Sequence, residues 1–281
     1  MFTITNEKEV QPVGCVLPNT LVHGDCLEVM KYIPSKSIDL VLCDPPYGWI
    51  GTTQCKWDTV IPFDLMWEQL KRIIKPNGAI VLFGNEPFSS LLITSNLKGF
   101  KYRLDWNKKI PSGMSYAKYR PMQQTEDICI FTSKGEKSVY HPQMVKREKP
   151  IKSGGMKNSD SAATNGYKPL NKTYEFKNPV TLIEFDKIRK GSLHPTQKPV
   201  PLLEYLIKTY TQEGETVLDF TAGSMSTAIA CINTNRKGIM IEKDEYYFKV
   251  GQDRVSKALQ EMGNEWILGI KREGSCESSH T

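Results

Sequence analysis

Short apolar runs that suit buried strands alternate along this chain with segments whose apolar residues recur at helical spacing. Residues 38–43 (IDLVLC) precede a helical pattern at 63–74, and residues 216–220 (TVLDF) precede one at 225–234. Apolar runs that lack strict alternation are typical of parallel strands covered on both faces. The chain is therefore predicted to adopt an α/β fold, in which helices lie on both faces of a mostly parallel sheet.

The remaining predicted elements follow the same alternation. Strands are predicted at 79–83, 102–106, 128–132 and 238–242, and helices at 86–97, 199–210 and 245–259. The 281 residues, of which 39% are hydrophobic, are enough for one sizeable core. No apolar run reaches the length of a membrane span, and the polar start MFTITNEKEV does not resemble a signal peptide.

The cysteines and histidines show no metal-binding spacing. The seven cysteines are an odd number, none forms a CxxC pair, and several lie in apolar runs, while the four histidines are scattered. This usage suits reduced thiols in a cytoplasmic protein, and it argues against a disulfide framework or a metal site.

Positive charge is concentrated in the middle of the chain. Residues 101–190 contain 19 Lys and Arg against 9 Asp and Glu, a local net charge of +10, whereas the whole chain carries +6. Such a block indicates a polyanionic partner such as nucleic acid, with a solvated lysine-rich loop as the alternative. Within it, residues 150–178 are rich in Ser, Asn, Gly and Lys, a composition that predicts a mobile or partner-ordered segment.

The sequence VLDFTAGSMST (217–227) places an acid and a glycine turn at the end of a predicted strand. Asp219 ends that strand, Gly223 lets the backbone approach a ligand, and Glu242 ends the next strand, where it is placed to accept from ribose hydroxyls. Because GxGxxG is absent, the pattern favours a phosphate-free adenosine cofactor, S-adenosylmethionine, and an ordinary strand–turn–helix is the alternative. The predicted cofactor-binding residues of this unit are Asp219, Gly223, Ser224 and Glu242.

Two further motifs supply candidate cofactor-binding residues. In HPTQKP (194–199), the Thr196 hydroxyl and the Lys198 ammonium are placed to hold the carboxylate end of the cofactor, unless the hexapeptide only starts a helix. In LVHGDC (21–26), a predicted strand end is followed by Asp25, which either accepts from a purine amino group or caps the predicted helix LEVMKYI.

The stretch CDPPY (43–47) joins an acid, two prolines and an aromatic ring to the end of a buried strand. Asp44 lies where open α/β sheets bind ligands, and Pro45 and Pro46 form a rigid turn without backbone donors. Two acceptors, the Asp44 carboxylate and the Pro45 carbonyl, suit a planar NH2-bearing group such as a flipped base, and Tyr47 offers a ring for stacking on it. The alternative is an Asp-Pro turn beside a core tyrosine.

Four motifs of the chain resemble those of the DNA amino-methyltransferases. In chain order they are GDC at 24–26, DPPY at 44–47, HPTQKP at 194–199 and LDFTAGS at 218–224. The order is similar to that of the permuted β class, which contains restriction-modification, orphan and phage enzymes. The resemblance covers about residues 20–260. It implies a Rossmann-like S-adenosylmethionine-dependent methyltransferase fold, base contacts by the catalytic tetrapeptide Asp44, Pro45, Pro46 and Tyr47, and a place for Lys198 near the methionine part of the cofactor.

The resemblance also implies a division of the chain. Residues 20–106 are the catalytic half, 107–190 an inserted basic target-recognition segment with a return strand near 128–132, 191–260 the cofactor-binding half and 261–281 a polar tail. The start of the inserted segment interleaves aromatic and basic residues, which suits a DNA-contacting loop. The residues predicted to bind DNA are Lys108, Lys109, Lys118 and Arg120.

Two positions depart from the family pattern. Met225 stands where the family usually has a second glycine, and Thr221 stands where it usually has phenylalanine. We expect the methionine side chain to narrow the cofactor pocket and to weaken cofactor binding.

The predicted function is site-specific transfer of a methyl group from S-adenosylmethionine to N6 of a flipped adenine in double-stranded DNA. Aspartate at position 44 favours adenine, since it is commoner there in the adenine enzymes of the family. Cytosine N4 is the first alternative, and a non-catalytic DNA-binding module with this fold is the second. The resemblance also implies a homodimer, and a cognate restriction endonuclease that acts on the same site.

Overall fold

The computed structural model of the chain describes residues 2–13, 15–48, 58–133, 137–152, 173–261 and 269–270. The chain divides into two compact units. One consists of Met1–His141 and Thr181–Thr281, and the other of Pro142–Val180.

The described residues form strands and helices in an alternating order. The strands are β1 (Thr3–Asn6), β2 (Thr20–His23), β3 (Ile38–Cys43), β4 (Ile74–Gly84), β5 (Phe100–Ser112), β6 (Gln123–Thr132), β7 (Val145–Lys152), β8 (Thr173–Lys177), β9 (Leu182–Glu184), β10 (Thr216–Asp219), β11 (Lys237–Glu242) and β12 (Gly269–Ile270). The helices are α1 (Glu7–Val13), α2 (Cys26–Met30), α3 (Phe63–Ile73), α4 (Phe88–Ser95), α5 (Val200–Tyr210), α6 (Ser226–Asn233) and α7 (Glu245–Glu261), with a 3-10 turn at Met114–Tyr116. Every strand and helix predicted above is present, whereas β1, α1, β7 to β9 and β12 were not predicted.

The larger unit is built on one sheet with the strand order β12-β1-β2-β11-β10-β3-β4-β6-β5-β9. All neighbours from β12 to β4 are parallel, β6 is antiparallel to both β4 and β5, and β9 is parallel to β5. The prediction of a mostly parallel sheet is therefore confirmed. Strands β10 and β11, from the second half of the chain, lie between β2 and β3 from the first half, so the two halves share one sheet.

Helices cover both faces of this sheet, as predicted. Leu40 and Leu42 of β3 belong to one hydrophobic cluster with residues of α5, α6 and α7. Val41 and Cys43 of the same strand belong to a second cluster with residues of α2, α3 and α4. Because side chains alternate between the faces of a sheet, the two clusters lie on opposite faces.

Four neighbouring parallel strands end in acids at one edge of the sheet. Strands β2, β11, β10 and β3 are adjacent in that order. Asp25 follows β2 after Gly24, Glu242 ends β11, Asp219 ends β10, and Asp44 follows β3. Parallel strands place their carboxyl ends together, at the edge where open α/β sheets bind ligands. The topology thus brings together acids that are far apart in the sequence.

The smaller unit contains the antiparallel pair β7 and β8, in which Lys146 lies opposite Phe176. Residues 153–172, which make up most of the segment predicted to be mobile, lie outside the described residues. So does most of the predicted polar tail, although Gly269–Ile270 pairs with β1. Among the helices that the structure describes, none is both long enough and apolar enough to cross a bilayer.

Candidate active site

A cavity of about 650 Å³ opens where the acidic strand ends meet. Ligand pockets usually have volumes of about 300–1,000 Å³. All four predicted catalytic residues and all seven predicted cofactor-binding residues line it: Asp44, Pro45, Pro46 and Tyr47, together with Asp25, Thr196, Lys198, Asp219, Gly223, Ser224 and Glu242. The motifs singled out in the sequence therefore form the walls of a single cavity.

The Asp44 carboxylate receives a hydrogen bond on each of its oxygens. The Tyr47 hydroxyl donates to Oδ1 at 2.5 Å, and the Lys198 ammonium donates to Oδ2 in a close ion pair. Burial raises the pKa of Asp44, although the charge of Lys198 acts in the opposite direction. Asp44 is thus a firmly held carboxylate whose negative charge depends on its lysine partner.

The Tyr47 ring is fixed at both ends. Its hydroxyl lies between Asp44 Oδ1 and Glu126 Oε1, which is 3.4 Å away, and its ring contacts Phe88 with centroids 4.9 Å apart. Burial raises the pKa of Tyr47 well above its usual value, so the hydroxyl stays protonated and donates. A ring held in this way and lining the cavity is placed to stack on a planar ligand.

Glu126 of β6 belongs to this site, and the sequence analysis missed it. It is 8% exposed, and its carboxylate contacts Lys198 Nζ at 3.0 Å and Lys108 Nζ at 3.4 Å. Its position in the sequence carried a signal. Glu126 alternates with Ile128, so period-two spacing puts an acid on a face of the strand that is otherwise apolar.

The structure places Lys198 at the predicted catalytic tetrapeptide. Its ammonium contacts Asp44 and Glu126, and it lies 4.9 Å from the centre of the Phe83 ring. Burial opposes the charge of Lys198, but the attraction of Asp44 and Glu126 outweighs it and raises the pKa of the ammonium. Lys198 lines the cavity, but its observed partners are Asp44 and Glu126, so the predicted contact with the cofactor carboxylate stays a prediction.

The loop after β10 is fixed by hydrogen bonds to Asp219 and Glu242, the acids that end β10 and β11. Asp219 accepts from the Thr221 N–H at 3.2 Å and from the Thr227 hydroxyl at 2.6 Å, and burial raises its pKa to about 6. Gly223 has a φ of 50°, and its N–H donates to Glu242 Oε2 at 2.7 Å. Burial also raises the pKa of Glu242. The glycine turn and the strand-end acid are therefore joined directly.

The other predicted cofactor residues are held as follows. The Ser224 carbonyl accepts from Arg254 Nη1 of α7 at 2.9 Å, and the Thr196 hydroxyl lies 3.1 Å from His194 Nδ1. Asp25 caps α2 by accepting from the Leu27 N–H at 2.9 Å, and it forms an ion pair with Lys243. Of the two interpretations of Asp25, the helix cap is observed, and the residue also lines the cavity.

Acids outnumber lysines on the cavity wall. The acids are Asp25, Asp44, Asp58, Asp219, Glu242, Asp244 and Glu245, and the lysines are Lys198 and Lys243. Each lysine forms an ion pair with an acid of the same wall. Such a wall disfavours phosphate groups and suits a cationic ligand that carries hydroxyl groups. This acidic wall therefore fits S-adenosylmethionine, which has a sulfonium, ribose hydroxyls and no phosphate.

Met225 does not line this cavity. The residue has a φ of 60°, is fully buried, and belongs to the cluster beneath α5, α6 and α7. Its side chain points at Gly251 of α7. The expectation that Met225 narrows the cofactor pocket is therefore wrong, because a left-handed backbone at this position turns the side chain into the core.

Thr221, the second departure from the family pattern, joins two loops. Its hydroxyl donates to the Asp44 backbone carbonyl at 3.0 Å and lies 2.9 Å from Cys43 Sγ. Thr221 follows β10, whereas Asp44 follows β3. The hydroxyl thus ties the loop of the predicted cofactor site to the predicted catalytic tetrapeptide.

The four predicted DNA-binding residues do not behave alike. Lys108 is 8% exposed and pairs with Glu126, so its prediction as a phosphate contact is wrong for this structure. Lys109, Lys118 and Arg120 are exposed, and the Arg120 guanidinium lies 5.1 Å from the centre of the Tyr116 ring.

Among the described residues, no three His, Cys, Asp or Glu are grouped so that they could hold a metal ion.

The doubly covered parallel sheet and the cavity at its acidic edge define an α/β enzyme with a site suited to an adenosine cofactor. The family model of the N6 and N4 methyltransferases, described as DNA methylase, matches residues 38–253. The chain belongs to this family of DNA methylases, as the motif resemblance predicted.

Individual relatives and solved structures agree with this assignment. The DNA adenine methyltransferase YhdJ of Escherichia coli K12 is 28% identical over 268 residues, covering 90% of this chain and 88% of YhdJ. Type II methyltransferase M.HpaI of Haemophilus parainfluenzae is 26% identical, covering 84% of this chain and 73% of M.HpaI. The PvuII DNA methyltransferase (cytosine-N4-specific) superposes with a TM-score of 0.59 at 16% identity, covering 88% of this chain and 93% of its own. The M1.HpyAVI–SAM complex gives a TM-score of 0.55 at 24% identity, covering 83% of this chain and 98% of the M1.HpyAVI chain. These structures confirm the methyltransferase fold.

Proposed function

We propose that this DNA methylase transfers a methyl group from S-adenosylmethionine to N6 of adenine in double-stranded DNA. The observation that carries the proposal is the Asp44 carboxylate, held by Tyr47 and Lys198 on the wall of the same cavity as Asp219 and Glu242. The name of YhdJ, a DNA adenine methyltransferase, supports adenine as the base. Cytosine N4 is the second candidate, because the PvuII enzyme, described as cytosine-N4-specific, shares the fold.

The cofactor side of the cavity is the row of residues after β10 and β11. Glu242 accepts from the N–H groups of Gly223 and Asp244, one on each carboxylate oxygen, and each oxygen keeps a second lone pair that suits a ribose hydroxyl. The remaining residues that would hold the cofactor are Asp25, Thr196, Asp219, Gly223 and Ser224. When bound, S-adenosylmethionine supplies a methyl group whose bonding electron pair stays on sulfur.

The base side of the cavity is the tetrapeptide. An exocyclic amine is a weak nucleophile because its lone pair is delocalised into the ring. Acceptors at Asp44 and at the Pro45 carbonyl draw on the two N–H groups and favour a nitrogen with an available lone pair, while Tyr47 stacks on the base. The nitrogen must release one proton as it gains the methyl group, and Asp44, whose pKa burial raises, is placed to accept that proton.

The DNA side of the proposal rests on exposed positive charge and on the family resemblance. Lys109, Lys118 and Arg120 are exposed basic residues that suit phosphate contacts, and segment 107–190 is proposed to recognise the target sequence. A homodimer and a cognate restriction endonuclease also belong to the proposal, and the resemblance alone supports them. Sedimentation analysis of the protein with and without DNA tests the dimer.

Methylation of plasmid DNA by the purified protein tests the proposed function. Digestion to nucleosides and mass spectrometry should find N6-methyladenine, whereas N4-methylcytosine would establish the second candidate. Asp44→Ala should abolish both products while calorimetry still detects S-adenosylmethionine binding, because Asp44 faces the base. Cofactor binding without either modified base would favour a non-catalytic DNA-binding module instead.

A further inference from the structure

We infer that Glu126 is a positioning residue for methyl transfer, since both groups that donate to the Asp44 carboxylate also contact Glu126. The inference rests on the proposed function and assigns a role to an acid outside the DPPY motif. The two donors are the Tyr47 hydroxyl and the Lys198 ammonium. Each also reaches Glu126 Oε1, at 3.4 Å and 3.0 Å respectively.

Lys198 is held by acceptors from three separate parts of the chain. Its ammonium contacts Asp44 after β3, Glu126 on β6, and the carbonyl of Thr196 in its own loop at 3.4 Å. An ammonium has three N–H donors, so these contacts account for all of them. Lys198 is therefore placed to orient Asp44, and it has no donor left for a ligand unless one of these bonds breaks.

The charges of this site balance only when Glu126 is counted. Asp44, Glu126, Lys108 and Lys198 form an ion cluster whose side chains are between 9% and 18% exposed. Without Glu126, two lysines would face the single carboxylate of Asp44, and the cluster would carry a net positive charge. In a buried site such an imbalance acts strongly, because few water molecules screen it.

The imbalance would oppose the reaction itself. As the amine nitrogen forms its new bond, positive charge develops beside Asp44. A neutral ion cluster leaves the nearby carboxylate free to stabilise that charge, whereas a net positive cluster repels it. Glu126 thus contributes in two ways: it holds the two partners of Asp44 in place, and it cancels the charge of the second lysine.

A role limited to folding predicts different behaviour. A buried Glu126 that only satisfied Lys108 would affect unfolding, cofactor affinity and activity together when it is removed. A positioning role affects the methyl-transfer step and its pH dependence, and it leaves cofactor binding unchanged, because Glu126 is not among the residues that line the cavity.

The test compares Glu126→Gln with Asp127→Asn under single-turnover conditions at saturating S-adenosylmethionine and DNA. Asp127 is the matched control, since it is the next residue of β6, points to the opposite face and pairs with Arg103. We expect Glu126→Gln to slow methyl transfer by about tenfold or more, and Asp127→Asn to stay within about twofold of the natural protein. Calorimetry should find S-adenosylmethionine affinity changed by less than about twofold in both variants.

The pH profile supplies a second readout. The charged and titratable groups around Asp44 are Cys43 from β3, Tyr47 from its own loop, Lys198, Asp219 from β10, Glu126 from β6 and, behind Glu126, Lys108 from β5. The negative charge of Glu126 raises the pKa of Asp44. Its removal should therefore move the acid limb of the single-turnover rate to lower pH, while Glu126→Asp, which keeps the charge, should leave that limb in place.

Each outcome decides the matter. A rate for Glu126→Gln within about twofold of the natural protein would overturn this inference and leave the proposed function standing. So would a slower rate that is accompanied by a parallel loss of cofactor binding and an unmoved acid limb. Absence of methylation by the natural protein would overturn the proposed function and this inference with it. If Glu126→Gln does not fold, Glu126→Asp carries the test: its shorter side chain should slow methyl transfer at unchanged cofactor affinity, and a normal rate would overturn the inference.

Discussion

The side chain of Met225 fills the space that Gly251 leaves open on α7. A Cβ atom placed on Gly251 would lie 2.2 Å from Met225 Cγ and 3.1 Å from Met225 Cβ. Met225 is fully buried, and its φ of 60° lies in the left-handed region that favours glycine. A non-glycine residue in the loop before α6 is thus accommodated by a glycine in the middle of α7.

Gly251→Ala should destabilise the protein by about 1–3 kcal/mol, the scale of overpacking in a core. Alanine is the better helix former by about 1 kcal/mol, but the methyl group has no room beside Met225. Urea unfolding measures the effect. Lys257→Ala, at an exposed position of the same helix, is the control and should change stability by less than about 0.5 kcal/mol.

Removal of the methionine side chain should relieve this conflict. In Met225→Gly/Gly251→Ala the two changes should be coupled by about 1 kcal/mol or more. Additive effects of the single substitutions would mean that the two side chains do not compete for the same space.

Met225→Gly alone should leave the affinity for S-adenosylmethionine within about twofold of the natural value, because the side chain does not line the cavity. It should lower the free energy of unfolding by about 0–4 kcal/mol. That range is the loss of a buried methionine, about 2–5 kcal/mol, offset by about 1–2 kcal/mol of relieved left-handed strain. Calorimetry and urea unfolding of the same samples check both. Clearly tighter binding by the glycine variant would place the methionine at the cofactor after all.

Thr221→Val should slow methyl transfer by roughly three- to tenfold, since one net hydrogen bond contributes about 1 kcal/mol. The hydrogen bond that valine cannot make joins the Thr221 hydroxyl to the Asp44 carbonyl, so the proposed catalytic tetrapeptide would no longer be tied to the neighbouring loop. Thr221→Ser keeps the donor and should retain most of the rate. Single-turnover methylation measures both variants, and equal rates for valine and serine would show that the hydroxyl does not position Asp44.

The convergence of the motifs was predictable from the sequence because one rule governs it. Asp25, Asp44, Asp219 and Glu242 each follow a short apolar run, and parallel strands place such positions at the same edge. The rule needs only the strand boundaries and the parallel direction. It does not need the strand order, in which β10 and β11 enter between β2 and β3.

Glu126 was missed, and Lys108 was predicted to bind DNA, because the positions of both depend on antiparallel pairing at the far side of the sheet. Lys108 alternates with Leu104 and Trp106, both buried, so its face of β5 was visible in the sequence. The strand register beyond Lys108 was not visible in the sequence, because the pairing of β5 with β6 is irregular between Asn107 and Ser112, where Lys109 has a φ of 60°. Adjacent lysines therefore point to opposite environments: Lys108 into the ion cluster, and Lys109 to the surface.

Because the adjacent residues Lys108 and Lys109 differ in exposure, the salt dependence of DNA binding can test which lysines contact DNA phosphates. Removing one ion pair with a DNA phosphate should reduce the slope of log K against log salt by about 0.9 for double-stranded DNA. Replacement of Lys109, Lys118 and Arg120 by glutamine should therefore flatten that slope by up to about 2.7, as measured by fluorescence anisotropy between roughly 50 and 200 mM salt. Lys109 contributes least to this expectation, since its ammonium already lies 3.5 Å from the Asp186 carboxylate.

Lys108→Gln is the matched comparison, and it should leave the slope unchanged because the Lys108 ammonium is buried against Glu126. An unchanged slope in the triple variant would remove this loop from the DNA interface, and a flattened slope in Lys108→Gln would mean that Lys108 leaves the ion cluster when DNA binds.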